Sequence, residues 1–495
     1  MNLSPHQWLA LSPILMVALT AIAVMGAISL KRDHFWNATV FVAGINASLL
    51  ASSVLFFGPL LFPELVPQVL PQQVTPLLVV DKFSVFYMGL ILTATLATAT
   101  LMQAYMAGFP RNKEEIYLLL ALSALGAVIL VCSNHFASLF IGLELLSLPL
   151  YGMVAYRPRH KHSLEAGIKY LVLSAAASAL LLFGIALVYA HTGTLAFADL
   201  GARLNDGADH ENLYMLVGGA LIVAGIGFKL SLAPFHLWTP DVYEGAPAPV
   251  TGYLATASKT AVFAVLLRYF MQAGAHHHQN LVNALSAIAV ASILIGNVLA
   301  LQQTNIKRML AYSSIAQLGY CLVALIASGP LAVEAVGVFL LTYVITSICA
   351  FGVVTLASSP MRPGERDADN NYDYRGLFWR RPYLSSILTV SMLSLAGIPL
   401  TAGFIGKFYV IAAGVDARVW VLLGAVVLGS AIGLYYYLRL LITLFLADPE
   451  KREFNAPLNW GQQTGGYMAV AFMLLMLLIG VFPQPFLYLV QFASF

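Results

Sequence analysis

The sequence predicts an all-α polytopic membrane protein of about fourteen transmembrane helices. Three features point there. The 495 residues are 60% hydrophobic and only 9% charged, whereas a soluble domain carries roughly 25% charged residues. Apolar runs long enough to cross a bilayer, which takes about 20 helical residues, recur from end to end. The remaining charges collect in the short stretches between those runs.

In order, the runs fall at about 7–29, 37–59, 82–107, 115–133, 136–156, 166–191, 213–231, 249–272, 280–302, 309–328, 331–358, 383–412, 417–446 and 466–489. The first is followed, not preceded, by its basic pair, Lys31 and Arg32. That order is the reverse of a cleavable signal, so the run reads as a retained helix with its N-terminus outside. With spans alternating, sixteen basic residues fall on one side: Lys31, Arg32, Arg111, Lys113, Arg157, Arg159, Lys161, Lys307, Arg308, Arg362, Arg366, Arg375, Arg380, Arg381, Lys451 and Arg452. The other side has Lys82, Arg203 and Arg418, with Arg268 near a helix end. Basic loops stay in the cytoplasm, so both termini are expected in the periplasm.

No loop is long enough for a soluble catalytic domain. The longest cytoplasmic one, Ser359 to Pro382, is polar and reads as a connector. Cys132, Cys321 and Cys349 lie in separate apolar runs without metal-ligand spacing, so buried thiols are expected. There is no GxGxxG after a strand and no P-loop, and the scattered net charge of +3 gives no nucleic-acid signature.

Five charges remain once those of the loops and run ends are assigned: Glu144, Lys229, Lys259, Lys407 and Arg439. An ionisable group at mid-membrane costs about 2.5–3.5 kcal/mol on insertion scales, and such groups usually line an ion path. Structural pairing or snorkelling is the plainer alternative. For Arg439, which keeps its charge, the two readings are even. Glu144 and the three lysines together favour function, because low dielectric disfavours a lysine's charged form and a nearby carboxylate opposes that. Moving the partner would then make the lysine hold or release a proton.

Two of the lysines sit beside helix breakers. Lys229 lies in GIGFKLSLAPFHLW, before Pro234, and Lys407 in LAGIPLTAGFIGKFYV, after Gly397, Pro399, Gly403 and Gly406. Interrupted helices free backbone groups to bind ions or water, although proline kinks are common. The broken helices, 7 and 12, are an odd number of spans apart and so run in opposite directions. The expected organisation is N-terminal helices 1–3 (1–112), two inverted five-helix repeats (helices 4–8, 113–273; helices 9–13, 274–448) and a last helix (449–495).

Secondary candidates are weaker. His236, seven residues after Lys229, would share its face if the helix continued, as a relay or as a hydrogen-bonded structural histidine. Lys169 and Glu165 are spaced for a simple exposed pair, slightly ahead of a functional role. The tract His276 to His278 reads as a solvated loop before a metal site, and Asp81 with Lys82 as a helix start.

The strings KLSLAPFHLWTPDVYEGAPAPVTGYLATASK (Lys229 to Lys259), FIGLELLSLPLYG around Glu144, NIKRMLAYSSIAQLGY at 305–320 and LSLAGIPLTAGFIGKFYV resemble the antiporter-like subunits of respiratory complex I, the NADH:quinone oxidoreductase. The resemblance covers essentially the whole chain and is nearest to the subunit N (mitochondrial subunit 2) family. Subunit L is longer, and subunit M carries a glutamate where Lys407 stands. The resemblance implies an input pair of Glu144 and Lys229, a central relay at Lys259 and an exit-side group at Lys407. Gln317 stands where some relatives carry a histidine. The resemblance also implies a bacterial inner-membrane location, membrane lipid around the chain, and partners among the antiporter-like and small subunits of the membrane arm. No cofactor is expected in this chain; FMN, iron–sulfur clusters and quinone would belong to partner subunits. The competing functions are a stand-alone cation/proton antiporter subunit and a scaffold that moves nothing.

Overall fold

The computed structural model describes residues 4–62, 68–109, 113–157, 160–205, 212–361, 365–447 and 460–493. Arg111, Arg159, Arg362, Lys451 and Arg452, counted above as cytoplasmic, lie outside the described residues.

Three helices open the chain: α1 (Pro5–Leu30), α2 (His34–Leu61) and α3 (Lys82–Met106). Each starts on a side-chain cap where the apolar run begins. Ser4 accepts from the backbone of Gln7, Asp33 from Trp36 and Asp81 from Ser84. Caps matter here because the first four N–H groups of a helix have no partner within it. A two-stranded antiparallel hairpin, β1 (Gln72–Thr75) and β2 (Leu78–Val80), precedes α3 and departs from the all-α expectation.

The chain continues as α4 (Glu115–Val131), α5 (Phe136–Val154), α6 (Lys161–Thr192), a short α7 (Phe197–Asn205), α8 (Leu213–Leu230), α9 (Trp238–Gly245), α10 (Ala248–Tyr253) and α11 (Lys259–Gln272). A π-helical turn, Leu254–Ser258, joins α10 to α11 in one span. Next come α12 (Gln279–Leu301), α13 (Ile306–Ala327), α14 (Gly329–Ser358), a one-turn α15 (Leu377–Arg380), α16 (Pro382–Ala396), α17 (Ala402–Asp416) and α18 (Trp420–Phe445). The chain closes with α19 (Trp460–Val481) and α20 (Gln484–Ala493). Among the described residues, twelve helical spans are long and apolar enough to cross a membrane. The shorter apolar helices α4 (17 residues) and α16 (15 residues) fall in two further runs of the about fourteen expected.

Burial separates two kinds of span. The most apolar windows of Ala248–Gln272 and of α14 are 100% buried and that of α13 is 94% buried, against 39% and 33% for α1 and α2. The centre of the protein is therefore α10–α11, α13 and α14. The outer helices keep apolar faces such as Leu171, Phe183, Val427 and Leu428 exposed, as lipid-facing helices do.

Both predicted breaks are present, and they end in the same way. α8 stops at Leu230; Ser231 is left-handed (φ 62°) and Leu232 N donates back to the Gly227 carbonyl at 2.8 Å. α16 stops at Ala396; Gly397 is left-handed (φ 84°) and Ile398 N donates back to the Leu393 carbonyl at 3.0 Å. Such turns satisfy carbonyls that the helix end leaves free. The Trp238 indole also donates to the Phe228 carbonyl at 3.1 Å and stacks between Phe228 and Tyr170. Because the helix ends at Leu230, His236 does not continue the face of Lys229. It lies in the connection between α8 and α9, so the basis for pairing the two residues fails.

At the second break α17 returns very close to α16. A Cβ on Gly403 would overlap the Ser394 carbonyl oxygen, whereas one on Gly424 would meet nothing within 4 Å. Gly403→Ala is expected to cost at least about 1–3 kcal/mol, the overpacking range, and to lower the yield of monodisperse protein by size exclusion in detergent. Gly424→Ala should leave the yield unchanged.

Candidate functional site

Lys229 occupies the last turn of α8, where unpaired carbonyls favour a cation. Its ammonium donates to Ser147 Oγ of α5 at 2.9 Å and to Ser174 Oγ of α6 at 2.8 Å. Glu144 approaches to 3.9 Å, and its Oε1 is held by Ser178 Oγ at 2.5 Å. Tyr151 completes the group by donating to Ser174 at 2.8 Å. Lys229 and Glu144 therefore share one polar pocket without a direct hydrogen bond. Glu144 is 26% exposed, on a face of α5 where Ile141 and Leu148 are also exposed.

Lys259 begins α11 directly after the π turn and is 1% exposed. Single-turn π insertions are frequent at functional sites. Its ammonium donates to Ser314 Oγ at 2.8 Å and lies 5.3 Å from the Tyr243 ring. Ser314 shares a 2.7 Å hydrogen bond with Tyr343 OH. Beside Tyr343 is a small cavity of mixed character, lined also by Gln317, Phe339, Thr342, Thr346, Ser394, Leu395 and Gly403, with room for about one water. Thr346 and Ser394 share a 2.9 Å hydrogen bond on its far side, and Gln317 donates to the Leu395 carbonyl at 3.0 Å. These groups lead to the second break, where Lys407 donates to the Ala396 carbonyl at 2.9 Å and lies 5.0 Å from the Tyr320 ring. Each broken-helix lysine thus sits at the carbonyl end of a half-helix, the position that favours cations. Gly397 makes room for it: a Cβ there would lie 2.8 Å from Lys407 Cδ.

The NADH:quinone oxidoreductase/Mrp antiporter transmembrane family matches residues 133–433, which hold all four candidates. The chain belongs to this family. Among its curated relatives, NADH-quinone oxidoreductase subunit N of Ectopseudomonas mendocina is 56% identical over 491 residues, covering 98% of this chain and 96% of its own. A chain of respiratory complex I from Thermus thermophilus is 32% identical with TM-score 0.80, covering 97% of this chain and 99% of that one. A chain of the Mrp complex from Dietzia, at 22% identity and TM-score 0.84 over 99% and 96% of the two chains, shows the same fold.

The secondary candidates of this antiporter-like chain are placed apart from the lysine row. Arg439 donates to the carbonyls of Leu301 at 2.9 Å and Gln303 at 2.6 Å, so it caps the end of α12. Lys169, 41% exposed, pairs with Glu165 at 2.6 Å and with Asp241 of α9 at 2.8 Å. Arg308 bridges Asp241 and Glu244 at 2.8 and 2.7 Å, so this network tethers the half-helix α9 to α6 and α13. His236 is buried, off the helix that carries Lys229.

One ionic cluster was not legible in the sequence. Arg157 and Lys307 read as ordinary cytoplasmic loop charges, yet their side chains are 5% and 0% exposed. Both converge on Asp367, 1% exposed: Lys307 Nζ at 2.6 Å and Arg157 at 3.3 Å, with Tyr105 OH donating at 2.7 Å. Lys307 also donates to the Ala246 carbonyl at 2.7 Å, ahead of α10. Asp367 thereby fastens its connector to three parts of the fold, α3, the end of α5 and α13. A second buried pair, Arg268 with Asp81 at 2.7 and 2.8 Å, ties α11 to the start of α3. Its sequence signal was two unpaired charges at opposite run ends.

Burial alone would raise the Asp367 carboxyl, but Lys307 and Arg157 outweigh it and hold that group below the ordinary carboxylate range. A depressed folded-state value makes the contribution full above the unfolded value, near 4, and removes it as pH falls further. Asp367→Asn is expected to cost about 3–5 kcal/mol at neutral pH, as removal of one partner from a buried pair does. The thermal-stability difference between wild type and Asp367→Asn should be constant from pH 7 to about pH 5 and shrink below about pH 4.

Proposed function

We propose that this chain is a proton-translocating membrane-arm subunit of an NADH:quinone oxidoreductase, with Glu144, Lys229, Lys259 and Lys407 as its proton-transfer groups. One contrast carries the reading. Lys307 and Arg268 meet carboxylates at 2.6 and 2.7 Å, as structural pairs do. The three lysines of the row are instead held by hydroxyl and carbonyl oxygens, and the nearest ion-pair partner is Glu144, at 3.9 Å from Lys229. Uncharged donors and acceptors can serve either protonation state of a lysine, whereas a tight carboxylate favours one.

Glu144 and Lys229 form the input pair, Lys259 the central relay and Lys407 the exit-side group. The two repeats, 113–273 and 274–448, each contribute a broken helix with its lysine. The redox reaction, with FMN, iron–sulfur clusters and quinone, belongs to partner subunits, and this chain supplies the proton path. Its location is a bacterial inner membrane with both termini in the periplasm. The half-exposed Glu144, on an otherwise apolar face, suits contact with a neighbouring membrane-arm subunit. A stand-alone antiporter would purify without flavin and iron–sulfur subunits, so co-purification of those subunits separates the two roles.

The test is NADH-driven proton pumping in inverted membrane vesicles, with assembly checked on native gels. Lys229→Ala and Lys259→Ala should assemble yet lower quinone-linked turnover and pumping together by about tenfold or more, since a positioned proton-transfer group contributes at least that. Lys229→Arg, which retains charge but cannot release its proton, should be similarly impaired. Normal turnover and pumping in all three variants would make the chain a scaffold.

A further inference from the structure

The Arg157–Asp367–Lys307 cluster stands in line with the central relay. Lys307 and Ser314 are seven residues apart on α13, two helical turns, so they share one stripe about 10 Å apart along the axis. Ser314 is the hydroxyl that accepts from Lys259. Between them the stripe carries Leu310 and Ala311, both buried and apolar. At its other end Lys307 meets the connector through Asp367 and holds the Ala246 carbonyl, which precedes the span that bears Lys259.

The cluster is unsuited to carrying protons. Arg157 keeps its charge at any accessible pH. Asp367 accepts from Lys307, Arg157 and Tyr105 together, which stabilises the carboxylate and not the acid. Two cations against one carboxylate leave a net positive charge, buried where the connector closes over α3, α5 and α13. A fixed positive charge in a narrow polar passage excludes protons and other cations. Neighbouring Arg366 donates to the Asp367 backbone carbonyl at 3.1 Å and pairs with Asp369 and Asp373, so the Asp367 carboxylate itself answers to Lys307 and Arg157.

We propose that Arg157, Asp367 and Lys307 form a fixed-charge plug that bars protons from passing directly between this aqueous face and Lys259, so that Lys259 exchanges protons only with groups inside the membrane. The proposal rests on the relay reading given above and adds a barrier to it. A tether with no barrier role would fail by loss of assembly or of turnover. A plug fails by leaking while turnover continues.

The experiment uses the assembled complex in inverted vesicles and reads quinone-linked turnover, the steady pH gradient, and the decay of an imposed gradient without substrate. Lys307→Gln removes one cation and leaves a side chain that can hold water. It should keep turnover near wild type, speed the passive decay several-fold and lower the steady gradient; Lys307→Arg should restore tightness. Turnover and gradient falling together in vesicles that stay passively tight would overturn the plug, as would Lys307→Gln vesicles as tight as wild type. If Lys307→Gln fails to assemble, Ala311→Ser decides, because it adds a hydroxyl to the apolar turn and leaves all three charges in place. Ala311→Ser vesicles as tight as wild type support the charge barrier, and leaking ones overturn it. A wild-type complex that turns over without building any gradient would instead overturn the relay reading itself.

Discussion

A backbone group that leaves its helix inside a bilayer has no water to turn to, and the two broken helices of this protein meet that constraint alike. At Ser231 and at Gly397 a left-handed residue folds the next N–H groups back onto the last turn. The carbonyls that remain at each half-helix end concentrate negative potential at membrane depth. Lys229 and Lys407 are placed there. The break thus creates the environment in which a buried ammonium is tolerated, and the lysine in turn stabilises a helix end that lipid could not.

Charge in this protein follows two regimes. In the connector and at the rims, cations are clamped by carboxylates: Lys307 and Arg157 by Asp367, Arg268 by Asp81, Arg308 by Asp241 and Glu244. Those pairs fix loops to helices, and breaking one leaves an uncompensated buried charge. In the row from Lys229 to Lys407 the ammonium groups rest on serine hydroxyls and carbonyls. The pairs join loops to helices around the row, and the proposed proton-transfer role falls on the ammonium groups that lack such a close carboxylate clamp.

Of the spans that hold the row, that of Lys259 is buried throughout its most apolar window, whereas that of Lys229 is 44% buried. Ser314, Thr346 and Ser394, with the hydroxyl of Tyr343, bridge most of the way from Lys259 to the second break. Small residues also let the helices approach: Gly403 sits against the Ser394 carbonyl, where any side chain would collide. Close packing and a polar route are here the same feature, because a serine in an apolar helix can both pack and donate.

The sequence by itself determined the membrane class, the two breaks and the charged residues inside the runs. Each of these rests on local composition: apolar length sets a span, a glycine or proline beside a lysine sets a break, and a charge in an apolar run is visible on its own. It did not reveal that Arg439 caps α12, that His236 lies off the helix of Lys229, or that Arg157 and Lys307 are buried on Asp367. Serines and tyrosines along the route carried no signal either, being ordinary residues in membrane helices. These were decided by the tertiary structure, because a partner 60 or 210 residues away in the chain leaves no trace in local pattern. Whether a charge is a solvated loop residue, a clamp or a proton carrier depends on which oxygen faces it, and only packing chooses that oxygen.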